Sequence, residues 1–214
     1  MPRAYAASRS GEPSQIEAEN YVRGNLDRGL AVLNDHSIPD AERAARLRVF
    51  LNSLIDTRRL ALFSLGVGKR SATPVQISKF VSTFGDYAVS YYETMLLKYY
   101  SGQIPRVTGC NKDGSNDYEV TVELLSPVQQ QDQSQKQPIE VDFRLVDAGG
   151  HFSVSDVAVA GVWLGEQERG RIYDYLLETN GNLGGVIARL RVSTERLQAP
   201  DRTDQANPQV ANAQ

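Results

Sequence analysis

The stretch TPVQISKFVSTFGDYAVSYYETMLLKYYSG, residues 73–102, together with YEVTVEL at 118–124, decides how this chain folds. In the first, Thr73 offers an N-cap oxygen, Pro74 suits the first helical position and Gln76 completes a capping box, so a helix begins there. Ile77, Phe80, Phe84, Tyr87, Tyr91, Met95 and Tyr99 then recur every three or four residues until Ser101-Gly102 ends the pattern. About 26 residues at 1.5 Å each make a rod of roughly 39 Å. In the second stretch the period drops to two. Tyr118, Val120, Val122 and Leu124 alternate with Glu119, Thr121 and Glu123, and further on Ile139, Val141, Phe143 and Leu145 alternate with Glu140, Asp142 and Arg144. Two half-buried strands follow from that spacing.

Working outward, the Gln-rich residues 129–137 read as a polar hairpin loop, and Asp147-Ala148-Gly149-Gly150 turns into a third strand from Phe152 to about Val162. Hairpin-linked strands favour an antiparallel sheet. Before the rod, one helix is expected over Gln15 to Asn34, carried by Ile16, Val22, Leu26, Leu30 and Leu33. A second carries Leu47, Phe50, Leu51 and Leu54, with Asp40 after Pro39 as its N-cap. A short third helix follows Asp56, with Leu60 and Phe63 inward, and stops at Gly66 and Gly68. Two more helices are expected after the sheet, Glu166 to Asn180 and Asn182 to about Arg191. The fold class is therefore α+β, a twisted antiparallel or mixed sheet of about four strands with several helices packed on one face. Residues 1–13 and 199–214 are polar and aperiodic, which makes them tails around one domain at 14–198.

Composition narrows the function classes. The 214 residues are 41% hydrophobic and 23% charged, with 23 basic and 26 acidic side chains. A net charge of −3 argues against a general nucleic-acid binder, which needs a basic surface. No run of about 18 apolar residues offers a transmembrane helix. The single Cys110 excludes an intramolecular disulfide framework and a cysteine-rich zinc site. Near the start, Ala4-Tyr5-Ala6 before Ala7-Ser8 has the small-x-small form of an export cleavage site, without the basic and apolar regions that precede one.

Candidate chemistry is sparse. His36 and His151 are the two histidines, one in a helix-to-helix turn and one at a hairpin, so a nucleophilic triad lacks its base. Gly66-Val67-Gly68-Lys69-Arg70-Ser71 is not a phosphate loop, because Phe63 stands where that motif needs glycine and Arg70 where it needs a hydroxyl. Asn111, Asp113, Ser115 and Asp117 have calcium-loop spacing, but Asn116 and Val122 replace its glycine and glutamate, so a solvated turn is expected. Charge is uneven: from Arg43 to Arg70 seven basic residues stand against Asp56 alone. Such a segment suits an anionic headgroup or an acidic partner, or is simply a solvated helix face. The aromatic row of the rod, set opposite strands carrying Val141, Phe143, Val157 and Val159, is by itself a core.

The order of segments resembles the MlaC (toluene-tolerance) family of periplasmic phospholipid-binding proteins. The residues that carry the resemblance are the run Arg59 to Gly66, Ala72-Thr73-Pro74 opening a helix with Phe80 and Phe84, Tyr91, and Tyr99-Tyr100-Ser101-Gly102-Gln103. Val141 to Leu145, Gly150 to Val157 and Ala160-Gly161-Val162-Trp163-Leu164 continue it through the second half, and together it spans roughly residues 15 to 192. Departures occur at Trp163, where the family usually has serine, at Glu166-Gln167-Glu168-Arg169, and in the Gln-rich insertion.

The resemblance implies a periplasmic carrier, without cofactor, metal or catalytic residue. It would move phospholipid between an outer-membrane lipoprotein complex and an inner-membrane ABC transporter complex; a hopanoid or other lipid carrier is the nearest variant. Phe63, Phe80, Phe84, Tyr87, Tyr91, Val141, Phe143, Val157, Val159 and Trp163 are then expected as pocket walls. Arg58, Arg59, Lys69 and Arg70 are expected to meet headgroup phosphate or a docking partner. Two alternatives stand beside the carrier: a small-substrate enzyme of cone-shaped α+β form using Asp142, Asp156 or His151, and an adaptor whose groove binds protein.

Overall fold

The computed structural model describes residues 13–126 and 138–199. The expected tails, apart from Pro13 and Ala199, the export-site reading at residues 4–8 and the loop at 129–137 lie outside the described residues. Among these, six helices and five strands follow in the order α1 Gln15–Leu33, α2 Asp40–Leu54, α3 Thr57–Leu65, α4 Pro74–Tyr99, β1 Ile104–Asp113, β2 Asp117–Leu125, β3 Ile139–Asp147, β4 Phe152–Val159, β5 Val162–Trp163, α5 Leu164–Glu178 and α6 Leu183–Gln198. A 3-10 turn covers Gly66–Arg70 between α3 and α4.

Local chemistry sets the helix starts. Thr73 Oγ1 accepts from the Gln76 N–H at 3.3 Å while Gln76 Oε1 accepts from the Thr73 N–H at 2.9 Å, which satisfies two backbone donors that the first turn cannot pair internally. Ser14 and Glu17 form the same box on α1. Asp56 caps α3 by accepting from the Arg59 N–H at 2.9 Å. Helix α2 differs from expectation: Pro39 is its N-cap and Asp40 its first residue, so no side chain closes that end.

The five strands form one antiparallel sheet in sequence order, β1 to β5. The expectation of about four strands missed β1, whose Pro105 and Gly109 break the strand signal and whose register shifts between Val107 and Gly109. The solvated turn foreseen at 111–117 is real but narrower, around Gly114. The foreseen third strand splits, because Ala160 and Gly161 take φ of 50° and 77° and reverse the chain between β4 and β5.

Packing corrects one larger expectation. The aromatic row of α4 does not face the strands: Phe80, Phe84 and Tyr87 are buried against Leu60, Ala61 and Leu65 of α3, Ile172 of α5, and Val186 and Leu190 of α6. A helix stripe must be covered by something apolar, and α6 supplies a matching stripe at Leu183, Val186, Ile187 and Leu190. The sheet is covered instead by α1, through Ala18 and Val22. Helix α2 bridges the two regions, with Leu47 and Leu51 packed against Leu33 of α1 and Val89 of α4. The α2–α3 joint attaches to the sheet where the Asp56 N–H donates to the Val154 carbonyl at 2.8 Å.

Candidate functional site

Strand register places the apolar residues of β2, β3 and β4 in rows on one face, since directly paired residues point the same way. Tyr118 pairs with Leu145 and Leu145 with Val154; Val120 pairs with Phe143 and Phe143 with Val157. Next come Val122 with Val141 and Val141 with Val159, then Leu124 with Ile139. Cover varies along these rows. Val120, Val122 and Val141 are buried like the first row beneath α1, Phe143 and Val157 are half-buried, and Val159 and Ile139 are 41% and 48% exposed. The apolar face is thus covered along β2 and open where Ile139 and Val159 end it.

Of the expected pocket walls, Val141, Phe143, Val157 and Val159 therefore share this face. Phe80, Phe84, Tyr87 and Tyr91 belong to the separate helical core, where Tyr91 is only partly buried. Trp163 is on the other side of the sheet: it pairs with Ala158, which alternates away from Val157 and Val159, and the Arg144 guanidinium lies 3.9 Å over its ring. The expected wall of rod aromatics against strand valines is replaced by two groups. Alternation located the strand members, whereas helical periodicity could not say which neighbour covers the stripe.

Phe63 joins a different feature, a cleft of 410 Å³ lined with Gly66, Val67, Lys69, Arg70 and Arg169. Gly66 ends α3 with a φ of 52°, a conformation that glycine adopts freely, and Arg169 Nε lies 3.5 Å from where its Cβ would be. The Arg169 guanidinium lies 5.2 Å over the Phe63 ring. Lys69, Arg70 and Arg169 are exposed, and none forms an ion pair with a described residue. Elsewhere the basic segment is neutralised from outside itself. Arg43 pairs with Asp40, Arg46 with Glu42 and Asp35, Arg48 with Glu93 at 2.6 Å, and Arg59 with Asp117 at 3.2 Å. Of the four cations expected to meet a headgroup or partner, Lys69 and Arg70 line this cleft, while Arg58 and Arg59 do not. Sequence reasoning missed Arg169, which approaches from α5 and leaves no local signal. A larger cleft of 810 Å³ opens between α2, α4 and α6, lined by Arg48, Glu93, Thr94, Leu97, Lys98, Leu197 and Gln198.

The groups weighed for acid or base chemistry have structural partners. Asp142 accepts from Thr121 Oγ1 at 2.8 Å on the face opposite the apolar rows. Asp156 accepts from the N–H groups of Val157 at 2.8 Å and Gly165 at 2.9 Å, pinning the start of α5 to β4. A Cβ on Gly165 would stand 2.6 Å from Asp156 Oδ2, so this approach requires glycine. Burial raises the Asp156 carboxyl against the pull of those two hydrogen bonds. His151 is exposed beside a hairpin turn.

A further ionisable group, not anticipated, lies inside the helical core. Glu168 is 6% exposed, Tyr87 Oη donates to its Oε1 at 3.3 Å, Arg171 sits 3.3 Å from the same oxygen, and Oε2 has no partner. Burial pushes its carboxyl up to about 7. Desolvation by the same core raises the nearby Tyr92 phenol far above its ordinary value. Among the described residues no group of three or more His, Cys, Asp or Glu could hold a metal ion, and no helix is long and apolar enough to cross a membrane.

Comparison with known proteins agrees with this architecture. No curated protein sequence matches the chain. Among solved structures, a phospholipid-binding protein from Ralstonia solanacearum in complex with a phospholipid superposes with a TM-score of 0.68 at 19% identity, covering 85% of this chain and 99% of that one. That likeness establishes a shared fold. A family model described as MlaC protein matches residues 24–192. The α+β sheet-and-helix order, the shared fold and that match across the greater part of the sequence place the chain in one family: it belongs to the MlaC proteins.

Proposed function

We propose that this protein is a phospholipid carrier that shields acyl chains on the open part of its apolar sheet face. The observation that carries the reading is the exposure of Ile139 and Val159 at the end of an apolar sheet face that is otherwise covered. Family membership supports it, as does the phospholipid held by the Ralstonia protein of the same fold. Two acyl chains hold about 30 methylene or methyl groups, and at about 0.8 kcal/mol each their exposure to water costs on the order of 20 kcal/mol. A carrier must cover nearly all of that surface. A bilayer covers it equally well, so transfer between bilayer and protein is close to balanced and this chain needs no nucleotide of its own.

In this reading the protein works in the periplasm, between an outer-membrane lipoprotein complex and an inner-membrane ABC transporter complex, and maintains outer-membrane lipid asymmetry. Direction comes from those partners. The protein binds and does not catalyse. Protein expressed with an export signal, purified without detergent and extracted with organic solvent is expected to yield stoichiometric phospholipid by mass spectrometry. A polycyclic lipid would transfer the reading to the hopanoid variant, and an extract free of lipid would refute a carrier.

A further inference from the structure

We infer that the cleft between the Gly66–Arg70 turn and α5 is a docking surface for the anionic headgroups of a phospholipid leaflet. The inference rests on the carrier reading only in supplying a reason to visit a membrane. Its evidence is independent of the sheet face. Lys69, Arg70 and Arg169 converge on one cleft, exposed and without ion pairs to described residues, in a chain whose other basic residues nearby are mostly neutralised. On the same stretch of α5, Glu168 turns inward to Tyr87 and Arg171, and the exposed Glu166 and Asp174 form no ion pair with a described residue of the cleft.

Apolar side chains are interleaved with these charges. Val67 in the turn is 57% exposed; Tyr173 and Leu177 on α5 are 53% and 60% exposed. Arg169, Tyr173 and Leu177 follow at four-residue steps, so they share one helix face with the cation leading it. Exposed apolar groups beside unpaired cations fit the boundary of a bilayer, where the former enter the headgroup zone and the latter meet phosphate. The turn is seated closely on its neighbours: a Cβ on Gly68 would meet Leu65 of α3 at 2.9 Å and Leu176 of α5 at 3.0 Å. A net charge of −3 repels the remainder of the molecule from an anionic surface, so a single cationic face also orients the approach.

The test is flotation of the full chain with two vesicle preparations, phosphatidylethanolamine with roughly a quarter phosphatidylglycerol, and purely zwitterionic phosphatidylcholine. The parent protein is expected to float with the first, to release as salt is raised, and to bind the second far less. Reversing Lys69, Arg70 and Arg169 together to Glu is expected to lower flotation at least tenfold, while reversing Lys79 and Arg191, which are exposed and do not line the cleft, leaves it unchanged. Circular dichroism of each variant reports folding. Lipid extracted from the purified triple variant separates the two proposals: retained phospholipid with lost flotation isolates docking as the function of the cleft. Undiminished flotation of a folded triple variant, or equal binding to both vesicle types, overturns the inference. Absence of flotation by the parent also overturns it.

Discussion

Val159→Asp is expected to empty the protein of lipid while leaving it folded. Val159 is 41% exposed, so an aspartate there meets water in the unloaded chain and costs little stability. When an acyl chain covers the open end of the sheet, the same carboxylate is trapped against hydrocarbon without a partner. Placing an unpaired charge in such surroundings costs at least about 3 kcal/mol, which weakens lipid binding roughly a hundredfold. Fluorescent-lipid titration measures the loss, and circular dichroism verifies the fold. Val49→Asp is the control. Val49 is 71% exposed on α2 and outside the apolar rows, so its replacement is expected to leave binding unchanged. Equal retention of lipid by both variants would remove Val159 from the site.

The second large effect concerns stability. Glu168→Gln is expected to stabilise the protein in mildly alkaline solution and to have almost no effect in acid. The folded carboxyl titrates near 7 against 4.5 for an unperturbed glutamate, so between those values the folded chain holds the extra proton. Stability contributed by this group is complete below about 4.5, falls as pH rises through the window, and is lost above about 7. A shift of that size corresponds to about 3 kcal/mol. Gln preserves the shape and the acceptor for Tyr87 Oη but carries no charge, so denaturation midpoints of the two proteins should coincide near pH 4 and diverge towards pH 8. Parallel profiles across that range would show that Glu168 is not buried as charged. Burial outweighs the ion pair here because Arg171 reaches only Oε1 and leaves Oε2 without a partner.

How much of this was legible in the sequence depends on where each signal resides. Helix α4 was legible because its capping box and its apolar period are local. Strands β2 and β3 were legible because alternation is also local, and it placed Val141, Phe143 and Leu145 on the correct common face. Strand β1 was not, since an edge strand with half-exposed residues, a proline and a bulge carries neither period cleanly. The partner of the α4 stripe was invisible for another reason. Periodicity states that Phe80, Phe84 and Tyr87 must be covered, but α6 and the sheet are both apolar enough to do so, and only the chain path decides between them. Charge behaved likewise. Lys69 and Arg70 declare themselves in a basic run, yet Glu93 and Asp117 cancel other members of that run, and Arg169 joins the cleft from far along the chain.

These placements shift the expected lipid site from a gap between rod and sheet to the sheet face itself. The most direct test is a phospholipid bearing a diazirine at its acyl terminus, loaded into the protein, irradiated and mapped by peptide mass spectrometry. Adducts at Ile139, Val141, Phe143, Val157 and Val159 are predicted. Adducts confined to Leu97 and Leu197 in the cleft between α2, α4 and α6, with the strand residues unlabelled, would contradict the assignment of acyl chains to the sheet.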